Sequence, residues 1–456
     1  MKKTLSSELP NAIRRRLKQI YDSTANHQLK TNALKALPFW IASLVTGLIA
    51  VFYSKVFLFA ESLAAGWFKT LPWLLFIITP TCFLLAWLLV NRFAKYAQGS
   101  GIPQVMAAIE LANPKDNLKV QRLLSVRVII VKILSSFFMI LGGGVIGREG
   151  PTIQIAGSIF RKVNQLLPNW WPKISKRNMI MTGAAAGLAA AFNTPLGGIV
   201  FAIEELTKTH LSYFRNALFT AVIIAGLTAE ALFGPYLYLG YPVIKGLSGY
   251  IFLGVILVAI LAGLGGSITG RLLMVLVQFR SRLQKKGQVV LFVLTMGLLV
   301  ATLGFLGNSE LIGSGKEIMT RILFSTNKYL PWYAPIVRIC GSIFSFSTGA
   351  AGGIFAPALS SGACIGSVMS NWMQLNDSNT NLLILSGMVG FLTGITRTPF
   401  TSSIIVLEMT DRHNLIFYLM LAGMFASMVS LLIDRHSFYD RLKIRYLQEI
   451  GLEDRT

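Results

Sequence analysis

Ten long apolar stretches occupy most of this chain, and they constrain its fold more than any other feature. A helix that crosses a bilayer needs about 20 mostly apolar residues. Few of the stretches are uninterrupted spans of that length, because Gly and Pro break several of them, as at 142–150 and 349–353. Broken backbone at membrane depth is tolerated only where protein buries it or where it lines a wet cavity. The sequence therefore predicts an all-α integral membrane protein with interrupted helices. The stretches cover 38–63, 72–91, 126–146, 178–204, 216–233, 250–279, 288–307, 331–369, 382–407 and 415–433.

The composition supports a membrane protein and excludes several other classes. Apolar residues make up 54% of the chain and charged residues only 13%, against about 25% charged in soluble domains. A secreted disulfide scaffold, a nucleic-acid-binding globular domain and most soluble enzymes are therefore excluded. The three cysteines and four histidines show neither a disulfide framework nor the spacing of metal ligands. We expect no metal and no cofactor.

The net charge of +23 is explained by membrane topology rather than by binding to nucleic acid. Cytoplasmic loops of membrane proteins collect Lys and Arg. Basic residues cluster at 113–127, 161–177 and 280–286 and in both tails, whereas 234–249 holds only Lys245. We therefore expect the three basic loops and both termini to be cytoplasmic. The expected location is the cell membrane, specifically a bacterial inner membrane, which the chain crosses several times.

The first 37 residues are mostly polar and precede the first apolar stretch. An apolar stretch that begins this far into the chain is not a cleavable signal peptide. The basic segment from Arg14 to Lys18 is compatible with a short amphipathic helix on the membrane surface and equally with a disordered tail. After the last apolar stretch we expect only a short cytoplasmic tail and no regulatory module.

The two halves of the chain repeat one another. GAAAGLAAAFNTPLGGIVFAIEE, which begins at Gly183, corresponds to GMVGFLTGITRTPFTSSIIVLEM, which begins at Gly387, so the offset is 387 − 183 = 204 residues. The glycine-rich turns that end at Pro151 and Pro357 are related by a similar offset, 357 − 151 = 206. The duplication predicts two membrane repeats, typical of transporters whose site lies between them. Their relative orientation does not follow from the residues alone. The expected division is a basic segment 1–37, repeats 38–233 and 234–433, and a C-terminal helix with a short tail at 434–456.

Three segments place small residues before a proline near a predicted helix start. They are GSGIP at 99–103, GREGP at 147–151 and GGIFAP at 352–357. Proline is favoured in the first turn of a helix because an N–H group there would make no hydrogen bond within the helix. Glycine permits sharp turns and lets a ligand approach the backbone closely. The unpaired N–H groups and the positive end of the helix dipole form a site for an anion. Three such turns in one membrane protein indicate an anion pathway.

These three motifs, in this order and at these intervals, resemble the signature motifs of the CLC family of chloride channels and proton-coupled chloride transporters. The resemblance runs from about residue 38 to 445 and is closest to prokaryotic-type members without cytoplasmic regulatory domains. It implies a fold of two inverted repeats with many tilted, partly spanning helices. It also implies a homodimer with a separate pore in each subunit.

The resemblance assigns roles to individual residues. Ser100 and Tyr439 correspond to the serine and tyrosine whose hydroxyls bind the central anion, and the N–H groups of Ile354 and Phe355 are expected to face the same ion. Glu149 corresponds to the gating glutamate. Glu205 corresponds to the internal proton-transfer glutamate of the exchangers, Glu204 to its neighbour, and Lys132 to an intramembrane lysine near that site. The backbone of Arg148, Glu149, Gly150, Phe355 and Ala356 is expected to form an external anion site.

Residue chemistry supports these roles but leaves alternatives open. Hydroxyl donors can solvate an anion without a full countercharge, and a carboxylate at a helix start can compete with an anion for that position. However, Ser100 could be only a turn residue, Glu149 a first-turn acid that stabilises a helix, and Tyr439 an interfacial aromatic. Glu204 and Glu205 could instead belong to a helix end that reaches the cytoplasmic interface, where they could pair with Lys132. We expect Glu408, the repeat partner of Glu204, to be structural.

The predicted function is secondary active exchange of chloride for protons, with a passive chloride channel of the same fold as the alternative. Glu205 favours the exchanger because channel members of the resembled family usually lack an acid at that position. The resemblance also implies a preference for chloride over nitrate, because nitrate-preferring members of that family carry proline at the position of Ser100. An intramembrane enzyme or a cation-coupled carrier would need a nucleophile and base or a buried acid cluster at the repeat junction, and the sequence shows neither. The expected partners are chloride, protons, the lipid bilayer and a second copy of the chain, but no nucleic acid. The loop 206–213 differs from the exchangers and leaves the inner proton route open.

Overall fold

The fold is a bundle of helices, described here from a computed structural model for residues 27–113, 116–206, 215–234 and 237–453. The predicted surface helix or tail at Arg14 to Lys18 lies outside these residues. Short 3₁₀ turns and one π-helical turn at Ala202–Leu206 connect some of the helices. The helices are α1 His27–Thr70, α2 Leu75–Phe93, α3 Ile102–Glu110, α4 Asn117–Leu123, α5 Val126–Leu141, α6 Glu149–Leu166, α7 Lys176–Phe192, α8 Pro195–Phe201, α9 Arg215–Phe233, α10 Ile251–Arg282, α11 Lys286–Gly307, α12 Lys316–Phe324, α13 Ala334–Ser347, α14 Phe355–Trp372, α15 Asp377–Thr396, α16 Pro399–Thr410, α17 Ile416–Ile433 and α18 Phe438–Glu453.

Eight segments of the described chain are long and apolar enough to cross a membrane. Their outward faces carry large exposed apolar side chains, such as Phe417 and Leu432. Exposure of such side chains is unfavourable in water and favourable in the hydrocarbon of a bilayer. The remaining apolar stretches are divided into shorter pieces. The stretch 178–204, for example, becomes α7, a break at Asn193 and Thr194, and α8. The prediction of an all-α membrane fold with interrupted helices is confirmed.

The repeat seen in the sequence is present in the backbone. Asn193 ends α7 with a φ of 56°, and Arg397 ends α15 with a φ of 64°, and the offset is 397 − 193 = 204 residues. This left-handed conformation is unusual for residues other than glycine, so its appearance at both positions is a specific match. Helices α8 and α16 then begin at Pro195 and Pro399, again 399 − 195 = 204 residues apart.

Helix α15 is buried in the middle of the second repeat, between α14 and α10. Its close contact with α14 depends on two glycines: a Cβ on Gly362 would collide with the carbonyl of Gly387, and a Cβ on Gly387 would collide with that of Gly362. Side chains at these positions would force the two backbones apart. Gly183, the repeat partner of Gly387, lies against the ring of Phe160 in α6 in the same way. The helices that carry the predicted anion motifs, α6 and α14, are therefore each held by a tightly packed neighbour.

The three glycine-rich turns meet at the centre of the molecule. The N–H of Gly99 donates to the carbonyl of Ala350 at 2.8 Å, and that of Gly352 donates to Gly99 at 3.1 Å. Gly147 and Gly353 exchange two hydrogen bonds, at 2.8 and 2.7 Å. Backbone from both repeats is thereby joined at the point where α3, α6 and α14 begin.

Candidate functional site

Ser100 lies in a rigid turn directly before α3. The glycines on each side have positive φ values, 60° at Gly99 and 99° at Gly101, which residues with a side chain rarely adopt. The Lys132 ammonium donates to the carbonyl of Gly99 at 2.9 Å and to that of Gln98 at 3.5 Å. The turn and the lysine together hold the Ser100 hydroxyl in a buried position.

Tyr439 approaches the same point from α18, the last helix. Ser437 directly precedes this helix, and its hydroxyl oxygen accepts a hydrogen bond from the N–H of Asp440 at 2.9 Å. The Tyr439 ring is fully buried and stacks on Phe355, with ring centroids 6.2 Å apart and planes inclined by 13°. The hydroxyls of Ser100 and Tyr439 are neighbours, yet within the described chain neither oxygen makes a hydrogen bond of normal geometry. Two buried hydroxyls are thus available to a ligand between them.

The start of α14 supplies backbone donors beside these hydroxyls. The first hydrogen bond of this helix runs from Ala358 to the carbonyl of Ile354 at 2.9 Å, so the N–H groups of Phe355 and Ala356 precede the internal bonding of the helix. The start of α6 lies against Ser100, because a Cβ on Gly150 would collide with the Ser100 Oγ. The motifs predicted from the sequence therefore converge on one place.

Glu149 is the first residue of α6 and is buried. Its Oε1 accepts a hydrogen bond of 3.2 Å from the hydroxyl of Tyr238. A Cβ on Gly147 would collide with the Oε2 of Glu149 and would lie 3.2 Å from the nitrogen of Ala356, so these groups surround the same point. No described residue bonds this Oε2 with normal geometry. Arg148 lies before it, with its guanidinium 5.9 Å from the centre of the Tyr238 ring. The predicted external site, built from residues 148–150 and from Phe355 and Ala356, is thus a contiguous set of backbone groups around a carboxylate.

Glu204 and Glu205 occupy the π-helical turn after α8 but point to different surroundings. Glu205 is buried, and both it and Glu149 lie close enough to Tyr439 to interact with it electrostatically. Glu204 instead accepts hydrogen bonds from the N–H groups of Phe400 at 3.2 Å and Thr401 at 2.7 Å. The alternative that Glu204 pairs with Lys132 is therefore wrong: a helix start binds Glu204, and the carbonyls of the Ser100 turn bind Lys132.

Three aromatic residues of the site were missed at the level of sequence: Phe192, Phe201 and Tyr238. Phe192 lies 5.2 Å from Tyr238 and 6.2 Å from Phe355, and Phe201 lies 6.4 Å from Phe355, measured between ring centroids. Phe192 directly precedes the Asn-Thr-Pro break, whose Thr-Pro pair recurs in the second repeat, and this position in the sequence could have indicated that it lies near the site. Tyr238 lies in the segment between α9 and α10, which has no recognisable motif, and only the tertiary structure brings it to Glu149.

The chemistry of this arrangement suits a small anion that shares its path with a proton. Helix starts and hydroxyls supply hydrogen-bond donors without a fixed positive charge, which allows an anion to bind and also to leave. A carboxylate beside the same donors can accept a proton or compete with the anion. Among the described residues, no group of three or more His, Cys, Asp or Glu could hold a metal ion.

Comparisons with known proteins agree with this description. A family model described as "Voltage gated chloride channel" matches residues 82–431. The chain is 30% identical over 391 residues to the H(+)/Cl(-) exchange transporter ClcA of Cronobacter sakazakii, a match that covers 83% of this chain and 81% of the relative.

Solved structures share the fold at lower identity. The structure of a slow cyanobacterial Cl⁻/H⁺ antiporter matches with a TM-score of 0.79 and 24% identity, and the match covers 91% of this chain and 98% of the other. A CLC-type fluoride/proton antiporter matches with a TM-score of 0.74 and 21% identity over the same shares of the two chains. The fold class predicted from the sequence is confirmed by these likenesses.

Proposed function

Because this chain belongs to the family of voltage-gated chloride channels, the CLC family, we propose that it is a secondary transporter that exchanges chloride for protons. The observation that carries the proposal is the pair of buried hydroxyls of Ser100 and Tyr439 next to the helix start that bears Glu149. The two hydroxyls can donate hydrogen bonds to an anion in the interior of a membrane protein, and the carboxyl group of Glu149 lies next to them. The named relatives, H(+)/Cl(-) exchange transporters, support the same activity.

In the proposed mechanism, chloride binds centrally between the hydroxyls of Ser100 and Tyr439 and the N–H groups at Ile354 and Phe355. Removing a small anion from water is costly, and the donors of the site together with the dipoles of α6 and α14 offset that cost. Each dipole contributes about 0.3–1 kcal/mol, and up to about 2 kcal/mol when partly buried. The backbone of Arg148, Glu149, Gly150, Phe355 and Ala356 binds a second anion on the outer side.

Glu149 couples the two ions because its carboxylate and chloride compete for the same donors. While it is ionised, the side chain occupies the outer anion position. Protonation removes the charge and weakens its hydrogen bonds, since bonds to charged groups are roughly twice as strong as neutral ones. The neutral side chain then leaves and chloride enters, so that proton binding and chloride movement occur in alternation.

Glu205 transfers protons between the cytoplasm and the interior of the protein in this proposal. Two observations support this role: Glu205 is buried in the turn after α8, and it lies close enough to Tyr439 to interact with it electrostatically. Lys132 supports the site indirectly through the carbonyls of the Ser100 turn. A passive chloride channel would need no second acid here, and Glu205 therefore favours the exchanger.

We further propose that the chain functions as a homodimer in a bacterial inner membrane, with both termini cytoplasmic. Large apolar side chains are exposed around α8 and α16, where Leu196 is 51% and Phe400 is 53% exposed. This face suits a second copy of the chain within the bilayer. The three basic loops support the cytoplasmic orientation through the excess of Lys and Arg that cytoplasmic loops carry.

The test is a flux assay on the purified chain in liposomes. A chloride gradient is imposed at equal internal and external pH, and both ions are followed, chloride with an electrode and protons with a pH-sensitive dye. We expect chloride to flow down its gradient and to drive protons in the opposite direction, so that a pH gradient builds up. A membrane voltage of suitable size should stop both movements together. Chloride flux with no proton movement would contradict exchange and support the channel.

A further inference from the structure

Tyr238 belongs to the linker between α9 and α10, at the start of the second repeat as the sequence divides the chain. Neighbouring residues of this segment are tied to the protein by their backbone. The N–H of Leu239 donates to the carbonyl of Met409 at 3.1 Å, and Arg412 donates to the carbonyl of Pro242 at 2.8 Å. Asn381 donates to the carbonyl of Val243 at 3.0 Å. The linker therefore presents the Tyr238 side chain from a fixed position against the second repeat.

The Tyr238 side chain is buried and contacts the gate directly. Its hydroxyl donates to Oε1 of Glu149 at 3.2 Å. Phe192 meets the ring edge to face, with 5.2 Å between centroids, and two cations lie near the ring, the ammonium of Lys316 at 5.0 Å and the guanidinium of Arg148 at 5.9 Å. These contacts fix the ring, so that the hydroxyl has a defined orientation toward the carboxylate.

We propose that Tyr238 is a positioning residue of the transport cycle, which holds the ionised carboxylate of Glu149 in the anion path and so sets the pH at which the gate opens. The inference rests on the proposed function, in which Glu149 is the gate. A phenol can donate to a carboxylate, and a bond to a charged acceptor is stronger than one to a neutral carboxyl group. The hydroxyl of Tyr238 therefore stabilises the closed, ionised state more than the open, protonated state.

Other titratable and charged groups near Glu149 are the same in the wild type and in a variant that lacks the Tyr238 hydroxyl. Arg148 precedes it in the chain, and Lys316 lies at the start of α12. Tyr53 of α1 faces it and donates its own hydroxyl to Ser136 at 2.8 Å. Tyr439 of α18 interacts electrostatically with Glu149 and with Glu205. None of these groups is altered when the Tyr238 hydroxyl alone is removed, so a change in pH dependence would report that hydroxyl.

The sign of the effect follows from the direction of the hydrogen bond. Without the hydroxyl, the ionised form of Glu149 loses a donor and protonation costs less free energy. Transport that requires protonated Glu149 should then begin at higher pH. We expect a shift of about 1 pH unit toward the alkaline side, which corresponds to about 1.4 kcal/mol. At a pH above the wild-type midpoint, chloride flux should rise by up to about tenfold.

The experiment is the pH dependence of chloride flux in liposomes for Tyr238→Phe, which keeps the ring and its packing. The matched control is Tyr241→Phe in the same linker, whose side chain is 59% exposed and which should reproduce the wild-type profile. In a Glu149→Gln background, Tyr238→Phe should cause no further shift, because that gate cannot ionise. Tyr238→Leu, which also lacks the hydroxyl, should shift the profile in the same direction and serves if the first variant folds poorly.

Two results would overturn the role of Tyr238. One is a profile for Tyr238→Phe that superimposes on the wild type while the protein remains folded. The other is an equal shift in the Glu149→Gln background. Failure of the proposed function is distinguishable, because it would appear in the wild type as chloride flux without proton movement. In that case the flux profile of Tyr238→Phe would still measure its effect on the gate.

Discussion

Glu204 and Glu408 each bind the start of a helix from the opposite repeat. Glu204 accepts hydrogen bonds from Phe400 and Thr401 at the start of α16, while Glu408 accepts from the N–H groups of Leu196 at 3.0 Å and Gly197 at 2.6 Å at the start of α8. The residues are 408 − 204 = 204 positions apart, the offset of the sequence repeat. The expectation that Glu408 is structural agrees with this contact, and Glu204 has the same role. Each carboxylate satisfies N–H groups that begin a helix and would otherwise be unpaired.

Glu204 and Glu205 are adjacent in sequence and should differ in function. We expect Glu205→Gln to stop proton movement while chloride flux continues, because the amide cannot carry a proton between the two sides. Glu204→Gln should retain proton coupling, since its carboxylate is committed to the start of α16. Loss of that contact should lower the free energy of unfolding by about 0.5–2 kcal/mol. The proton-to-chloride flux ratio and a denaturation curve are measured for each variant. Loss of proton coupling in Glu204→Gln, with coupling retained in Glu205→Gln, would assign proton transfer to Glu204 instead.

Glu149→Gln should leave chloride transport and end proton coupling. The neutral amide resembles the protonated glutamate in shape but cannot ionise, so the outer anion position remains accessible at every pH. Chloride flux should therefore become independent of pH, whereas the wild type should slow as the pH rises. Proton uptake at the wild-type rate in this variant would remove Glu149 from the mechanism.

Loss of either central hydroxyl should weaken chloride binding. In Ser100→Ala and Tyr439→Phe, one donor to a charged ligand is lost, a change worth about 1.5–3 kcal/mol, or about a tenfold or greater increase in the dissociation constant. Isothermal titration with chloride measures this directly. Thr302→Val is a suitable control, because its hydroxyl bonds the carbonyl of Leu298 on an exposed helix face. Unchanged affinity in both site variants would exclude the proposed central site.

Gly387→Val should destabilise the second repeat severely. A Cβ at this position would meet the carbonyl of Gly362 in α14, and the two buried helices cannot separate without opening the core. Overpacking of this kind costs about 1–3 kcal/mol or more. Gly249→Ala is the matched control, since a Cβ there meets nothing within 4 Å. Thermal stability in detergent should fall for the first variant and remain near that of the wild type for the second.

Much of the fold could be predicted because its causes are local in the sequence. Apolar stretches without charges select helices in a bilayer, and Pro195 and Pro399 mark helix starts because proline loses no hydrogen bond in the first turn. The repeat was visible since the same local requirements recur 204 residues later, as at Gly183 and Gly387. Ser100 and Glu149 could be proposed for the same reason, since they lie within short motifs whose glycines and prolines specify turns.

The remaining features depend on residues that lie far apart in the chain. Nothing near Glu204 indicates that it binds the start of α16, and nothing near Lys132 indicates that it holds the Ser100 turn. Tyr238 meets Glu149 across 89 positions, within a linker that has no motif.

The sequence by itself determined that the chain is a helical membrane protein, that it is duplicated and that it carries the glycine- and proline-containing turns for which we propose anion binding. These properties follow from side-chain hydrophobicity and backbone conformational preference, which act over a few residues. The tertiary structure alone decided that the carboxylates of Glu204 and Glu408 bind helix starts and that the phenol of Tyr238 bonds Glu149. Such hydrogen bonds require two groups to lie within about 3 Å, and only the packing of the complete helices brings them to that distance.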